Sequence, residues 1–294
     1  MNKHAILIMA HNNLWSLKEL IKTLDSGYFD IFVHLDLKCK IEEKDLENIC
    51  KISKLVILKQ IDIRWADYSQ IECELLLLSE AQKNDYYSYF HLISGVDLPI
   101  KSNKDLYSFF ENSKKEFIHF ESEKLPLKKF SYYHLYNLNM KNYRNNNFNK
   151  LVNKFFLLIQ KIFFIKINNN IEFHSGANWF SITNSCAEYI FSKKKEIERI
   201  YKYSRSGDES FLQTFVYNSK FKNNLYNLEF NDDYDSCKRY IDWKRGNPYV
   251  FKLDDYDNIV QSSCFFARKF DENIDKAIIE KIIESRESRY EKRK

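Results

Sequence analysis

At 294 residues, 44% hydrophobic and 16% aromatic, the chain can bury a sizeable core, and with 5 glycines and 3 prolines it has no linker tract. A net charge of +5 with both signs interspersed does not mark a nucleic-acid binder, and suits an anionic small molecule or an anionic membrane surface. The six cysteines, Cys39, Cys50, Cys73, Cys186, Cys237 and Cys264, form no CxxC or Cys/His cluster, which argues against zinc and for reduced thiols in a cytosolic protein.

The N-terminal apolar run Ala5–Ala10 is short for a signal peptide and too short to span a bilayer, so His4–Ala10 reads as a strand. It ends at His11-Asn12-Asn13. Leu14, Leu17, Leu20, Ile21 and Leu24 then share one side of a helix over Leu14–Leu24. Phe29–Leu35 is a second strand closed by Asp36, Glu42–Ile49 reads as helical, and Leu55–Leu58 is a third strand. Tyr68–Lys83 is a strong helix, with Ser69 as its expected cap and Ile71, Leu75, Leu76, Leu78 and Ala81 on its apolar face.

A buried strand, Tyr89–Ile93, stops at Ser94-Gly95 and is followed by Asp97, Pro99 and Lys101. Ligands of open α/β sheets bind beyond the carboxyl ends of the strands, which is where this turn puts a hydroxyl, backbone N–H groups and a carboxylate. A helix over Asn103–Asn112 and a strand over Phe117–Phe120 follow. This alternation predicts βαβ units and a mostly parallel, Rossmann-like sheet flanked by helices. No GxGxxG or Walker A sequence occurs, which disfavours a dehydrogenase or a P-loop NTPase.

Ser131–Asn149 is rich in Tyr and Asn and breaks the pattern. Leu151–Ile167 is strongly apolar; on a helix, Asn153, Lys154, Gln160 and Lys161 form one narrow polar stripe. Two roles are open to it, a buried helix against the sheet or a helix lying in a membrane interface. Asn178–Thr183 continues the sheet. Asn184–Lys202 reads as one amphipathic helix, Ser210–Asn218 as another, and Tyr240–Trp243 and Tyr249–Phe251 as short strands. Asp254–Ser262 and Glu272–Ser285 read as helices, and the tail to Lys294 as charged and solvated.

SGDES at Ser206–Ser210 is the best catalytic candidate. Asp208-Glu209 suit the first turn of a helix electrostatically, and one of them, projecting into a cleft, can act as general base. In FARKFD, Arg268 and Lys269 lie between two aromatics and suit a leaving phosphate; Arg239 and the pair Lys244-Arg245 are further cations. Asp-x-Asp occurs at Asp233–Asp235 and Asp255–Asp257, too late in the chain for a nucleotide-sugar metal motif, so no metal site is expected.

Seven stretches in order, HAILIMAHNN with VHLDLK, IRWADYSQIECELLLLSEA, FHLISGVDLPIKS, SGANWFSIT, SGDESFLQT, RYIDW and FARKFD, carry a resemblance over roughly residues 4–275. The chain resembles the core-2/I-branching β-1,6-N-acetylglucosaminyltransferases and the related peptide O-xylosyltransferases, in a bacterial-looking version. The resemblance implies a GT-A-type fold in one domain: a nucleotide-binding half (1–120), an acceptor and catalytic half (121–275) and a charged helical tail. It implies inverting, metal-independent transfer from a UDP-sugar, GlcNAc or else xylose, to a surface glycan or lipid-linked acceptor.

By position, Glu209 corresponds to the catalytic base and Lys269 and Arg239 to cations at the diphosphate. Asp36 corresponds to a uridine contact, with Ala10 and His11 beside the nucleotide and Asp97 in the donor set. Glu121, Trp179 and Asp208 belong to the expected acceptor side, and Ser131–Asn170 is where acceptor specificity is expected. The resemblance is to membrane-anchored animal enzymes; this chain's start lacks such an anchor and fits a cytoplasmic enzyme, in peripheral contact with the membrane if 151–167 docks there. Two rival readings remain at this stage: a glycoside hydrolase pairing Glu209 with Asp97 or Glu121, and a non-catalytic carbohydrate-binding or membrane-peripheral protein.

Overall fold

The computed structural model describes residues 2–83, 86–121, 127–134, 147–231 and 233–291. Residues 135–146 of the stretch expected to set acceptor specificity lie outside the described residues.

The apolar N-terminal run forms β1 (Lys3–Ala10), followed by α1 (Leu14–Leu24), β2 (Phe29–Leu35), β3 (Leu55–Leu58), α2 (Ser69–Ala81) and β4 (Tyr87–Ser94). A two-residue strand β5 (Leu98–Pro99) leads to α3 (Asn103–Ser113), where the Ser102 hydroxyl caps the helix by accepting from the Asp105 N–H at 3.0 Å. Then come β6 (Phe117–Ile118), α4 (Asn147–Ile162), β7 (Phe180–Thr183), α5 (Asn184–Ser192), α6 (Lys194–Tyr201) and α7 (Phe211–Tyr217). The described chain closes with β8 (Arg239–Ile241), α8 (Tyr256–Gln261), β9 (Phe266–Arg268) and α9 (Lys276–Glu291).

The main sheet has the order β3-β2-β1-β4-β7-β6. The first four strands are parallel, and β7 runs antiparallel to both β4 and β6. This is the mostly parallel, helix-flanked sheet expected of the sequence. β1 is central and covered on both faces, which explains an unbroken apolar run instead of alternation. Its Ala5 and Leu7 enter a core with α2, α5 and α7, while Ile6 and Ile8 enter a second core with α1, α3 and α9. Each such buried Leu or Ile contributes roughly 1.5–3 kcal/mol. After β1 the chain builds outward through β2 and β3, then returns to place β4 on the other side of β1. The reversal leaves a crevice at the carboxyl ends of β1 and β4. A smaller sheet, β5-β9-β8, stands beside it and delivers Arg268 and Lys269.

Several local expectations change. Glu42–Ile49 supplies only a 3₁₀ turn at Glu43–Asp45. Ser69 does not cap α2; its hydroxyl accepts from the Arg64 N–H, and Asp67 accepts from the Ser69 N–H. Asn184–Lys202 divides at Lys193 into two helices, and Tyr249–Phe251 is not a strand. The helix expected over Glu272–Ser285 spans Lys276–Glu291 and so runs into the stretch expected to be a solvated tail, where Arg286 is buried. Ile278, Ile279 and Ile282 are core, and the buried Arg286 donates to the Lys101 carbonyl at 2.6 Å and to Asn103 Oδ1 at 2.8 Å.

The Leu151–Ile167 helix stops at Ile162, and Phe164 takes a left-handed backbone (φ 54°). Its expected polar stripe is split: Asn153 and Gln160 are buried, whereas Lys154 and Lys161 are exposed. The Gln160 amide accounts for this, since it accepts from the Tyr133 N–H at 2.9 Å and donates to the Tyr133 carbonyl at 2.8 Å. No helix among the described residues is long and apolar enough to cross a membrane.

Candidate functional site

A cleft of about 620 Å³ opens at the crevice between the carboxyl ends of β1 and β4. Met9, Ala10 and His11 supply its floor from β1, Asp36 from the end of β2, and Ser94 and Val96 from the turn after β4. The strand ends are tied together: the Asp36 N–H donates to the Ala10 carbonyl at 2.8 Å, and the Gly95 N–H to the Met9 carbonyl at 3.0 Å. A Cβ on Gly95 would stand 3.0 Å from that of Ala10, so the close approach of the two strand ends favours glycine. Asp36 accepts from the Lys38 N–H at 2.9 Å and pairs with the Lys38 ammonium at 3.2 Å. Desolvation pushes the His11 imidazole below its ordinary pKa; Asp36 opposes this, while the nearby Lys269 and Lys38 charges add to it. His11, Asp36 and Lys269 therefore share one electrostatic neighbourhood.

Arg268 enters the cleft from β9 and lies over the Trp179 ring at 4.0 Å. Behind it, Asp97 is buried, accepts from the Ser94 N–H and hydroxyl at 2.8 Å each, and faces Arg268 Nε at 3.5 Å. Asp97 thus orients the turn and the guanidinium from behind the cleft. Arg239 also lies outside the lining. It is buried, with its terminal nitrogens donating to the carbonyls of Cys237 (2.6 Å), Phe180 (2.7 Å) and Leu92 (3.1 Å) and to Ser181 Oγ (3.2 Å). Ser181 continues to His91 at 2.8 Å and His91 to His4 at 3.0 Å, a buried polar chain across the sheet. The expectation that Arg239 meets the diphosphate is not what this geometry provides, because the side chain is buried away from the cleft and both terminal nitrogens are engaged by the protein; Arg268 lines the cleft instead.

The opposite wall is the SGDES turn. Glu209 lies just before α7, its carboxylate half exposed at the cleft and 3.6 Å from the Lys129 ammonium. The turn is held from below: the buried Ser210 hydroxyl donates to the His174 carbonyl at 2.8 Å, and the Glu209 carbonyl accepts from the Gly176 N–H at 2.9 Å. Gly176 itself packs on the His119 backbone. Beside it, the Ala177 N–H donates to His119 Nδ1 at 3.0 Å, while the His119 ring stacks on Tyr234.

Asp208 is buried next to Glu209 and accepts from Gln70 Nε2 at 2.8 Å, while Gln70 Oε1 accepts from the Ala66 N–H at 2.7 Å. Burial, reinforced by the Glu209 charge, raises the Asp208 carboxyl to about 7. One helical turn beyond Gln70, Glu74 is wholly buried, its carboxyl pushed well up by burial and then by the Asp208 charge.

Glu121 and Trp179 line the same cleft, and Glu121 accepts from the Ser175 hydroxyl at 3.1 Å. The cleft therefore gathers Ala10, His11, Asp36, Glu121, Trp179, Asp208 and Glu209; Lys269 is not among its lining residues, and only its charge is felt at His11. Sequence reasoning missed Trp65, Gln70, Tyr234, Trp243 and Lys129. A signal existed: three of the four tryptophans, Trp65, Trp179 and Trp243, line this cleft, and aromatic faces beside carboxylates suit a sugar.

The Asp-x-Asp matches serve the fold. Asp233 caps the 3₁₀ turn Tyr234–Cys237, Asp235 pairs with Lys238 at 2.6 Å, and Asp255 pairs with Arg245 at 2.7 Å. Among the described residues no group of three His, Cys, Asp or Glu side chains could hold a metal ion.

A family model described as Core-2/I-Branching enzyme matches residues 5–259. The xylosyltransferase oxt of Drosophila pseudoobscura pseudoobscura is 26% identical over 132 residues, 39% of this chain and 15% of that protein. The match thus spans only a small part of the curated relative. Two structures of the glycosyltransferase GlyE of Streptococcus pneumoniae TIGR4, one of them the apo form, match at TM-scores of 0.34 and 0.31. Their identities are 9% and 10%, over 75% and 78% of this chain and 44% and 45% of GlyE. Similarity this low carries no argument about the cleft.

Proposed function

The chain belongs to the Core-2/I-branching enzyme family, and from that premise we propose that it is an inverting, metal-independent glycosyltransferase using a UDP-sugar. GlcNAc is the donor sugar we favour, with xylose, the sugar in the fly relative's name, as the alternative. The acceptor is a glycan hydroxyl. The observation that supports this reading is one cleft that joins a half-exposed carboxylate, Glu209, to Arg268, His11 and Asp36 at the strand ends.

In this mechanism the acceptor hydroxyl oxygen attacks the anomeric carbon, and Glu209 takes its proton. The bond from that carbon to the UDP oxygen breaks as the new bond forms, which inverts the configuration. Lys269 and Arg268 stabilise the charge on departing UDP. Asp97 holds Arg268 in place, Arg239 anchors the strands behind it, and Trp179, Trp243 and Glu121 receive the acceptor sugar.

Titration calorimetry with UDP in EDTA tests the donor site. Binding without metal, weakened about tenfold or more in Lys269→Ala, is expected from loss of one charge-assisted contact. Binding only with Mn²⁺ would overturn the metal-free mechanism, and no UDP binding under either condition would overturn the donor assignment. Against the UDP-sugar that turns over, Glu209→Gln should lower transfer by about 10²–10⁴ with unchanged UDP affinity.

A further inference from the structure

Between residues 147 and 167 the chain carries four lysines, Lys150, Lys154, Lys161 and Lys166, and no aspartate or glutamate. Here α4 is built inside out. Gln160 is buried and clamped at both ends of its amide to the Tyr133 backbone, and Asn153, seven residues earlier on the same face, is buried too. The opposite face presents Leu151, Phe155, Leu158 and Ile162, at 52–64% exposure. Their spacing of four, three and four residues makes one continuous stripe. Phe163 and Phe164 extend it past the helix end at 70% and 88% exposure. Lys154 and Lys161 flank the stripe on one side, and Lys166 follows it; all three are exposed.

The polar clamp sets this orientation. After Phe164 the chain returns to the body, where the Ile167 N–H donates to the Ser131 carbonyl at 3.1 Å and Asn168 Nδ2 to the Phe130 carbonyl at 3.1 Å. The stripe is therefore held outward by the buried Gln160 and by the return of the chain to the body after Phe164. Apolar side chains so exposed, in a segment whose charged side chains are all lysines, match the interface of an anionic bilayer: the phenyl and leucyl groups enter the acyl boundary and the lysine ammoniums stay at the headgroups. A second copy of the chain fits less well, since self-pairing of this face would bring lysines together with no acidic residue in the segment to meet them.

We propose that α4 with Phe163 and Phe164 is a docking element for an anionic lipid surface, with the helix lying in the interface plane. The proposal is independent of the catalytic reading, because vesicle binding requires neither donor nor acceptor.

The test is co-sedimentation of the full chain with vesicles of phosphatidylcholine alone or mixed with phosphatidylglycerol, at low and high salt. Wild type should bind the mixed vesicles, less at high salt. Phe155→Ser/Phe163→Ser/Phe164→Ser should lower partitioning at least about tenfold through lost apolar burial. Lys154→Gln/Lys161→Gln/Lys166→Gln should lower it about fivefold per lysine on mixed vesicles only. In Phe163→Trp/Phe164→Trp, which keeps the aromatic character, tryptophan emission should shift to the blue on mixed vesicles. Failure of wild type to bind, undiminished binding by a folded serine variant, or no emission shift would overturn the proposal. So would a wild-type dimer in light scattering that the serine variant converts to monomer, which would assign the face to a second copy.

Discussion

Asp208→Asn should change the pH dependence of stability more than stability itself. The carboxyl titrates near 7 in the folded protein because it is buried beside Glu209, against a reference value of 3.8. The folded state therefore holds a proton that the unfolded chain releases, so stability is fully present below about pH 4 and is lost as pH rises through about 7. Between pH 5 and pH 8 this one group should cost the wild type about 2–3 kcal/mol, a shift in thermal midpoint on the order of 5 °C for a chain of this size. Asparagine keeps an acceptor for Gln70 Nε2 and cannot ionise, so it should remove that part of the slope. The assay is urea unfolding of both proteins across pH 5–8, comparing the wild-type-minus-variant difference at each pH. A difference that stays constant across this range would refute the assignment of a buried, proton-holding Asp208.

Glu74→Gln should act in the same direction, because the folded state raises that carboxyl as well; urea midpoints of the variant should fall less than those of wild type as pH rises. Arg239→Met strips donors from three buried carbonyls and Ser181, and should lower unfolding free energy by about 3–5 kcal/mol. If stability holds and UDP affinity falls instead, Arg239 contacts the diphosphate after all. Gly176→Ala would set a Cβ 1.9 Å from the His119 carbonyl oxygen, so the backbone must move; a loss of about 1–3 kcal/mol and reduced transfer are expected, because Gly176 holds the Glu209 carbonyl. Normal activity and an unchanged thermal midpoint in this variant would show that the turn yields freely.

The sheet was legible because its determinants are local. Ala5–Ala10, Phe29–Leu35 and Tyr89–Ile93 are apolar runs covered on both faces, and their strands stand where those runs predict. Glu209, Asp36 and Trp179 were legible because each sits in a short motif at the end of a strand or the start of a turn. Glu42–Ile49 and Lys193 failed as helix because amphipathic spacing does not report where a backbone turns.

By itself, then, the sequence determined the family, the strand and helix alternation, and a minority of the residues that line the cleft, Ala10, His11, Asp36, Glu121, Trp179, Asp208 and Glu209 among them. Only the tertiary structure decided between the cations: Arg239 and Arg268 look alike in sequence, but one meets buried carbonyls from distant strands and the other lies between Asp97 and Trp179. It also decided which way α4 faces, since Gln160 turns inward on account of the Tyr133 backbone. Such choices rest on hydrogen bonds between segments remote in the chain. Burial makes an unpaired polar group costly, so the partner that folding supplies, and not the local hydrophobic pattern, fixes the side chain's direction.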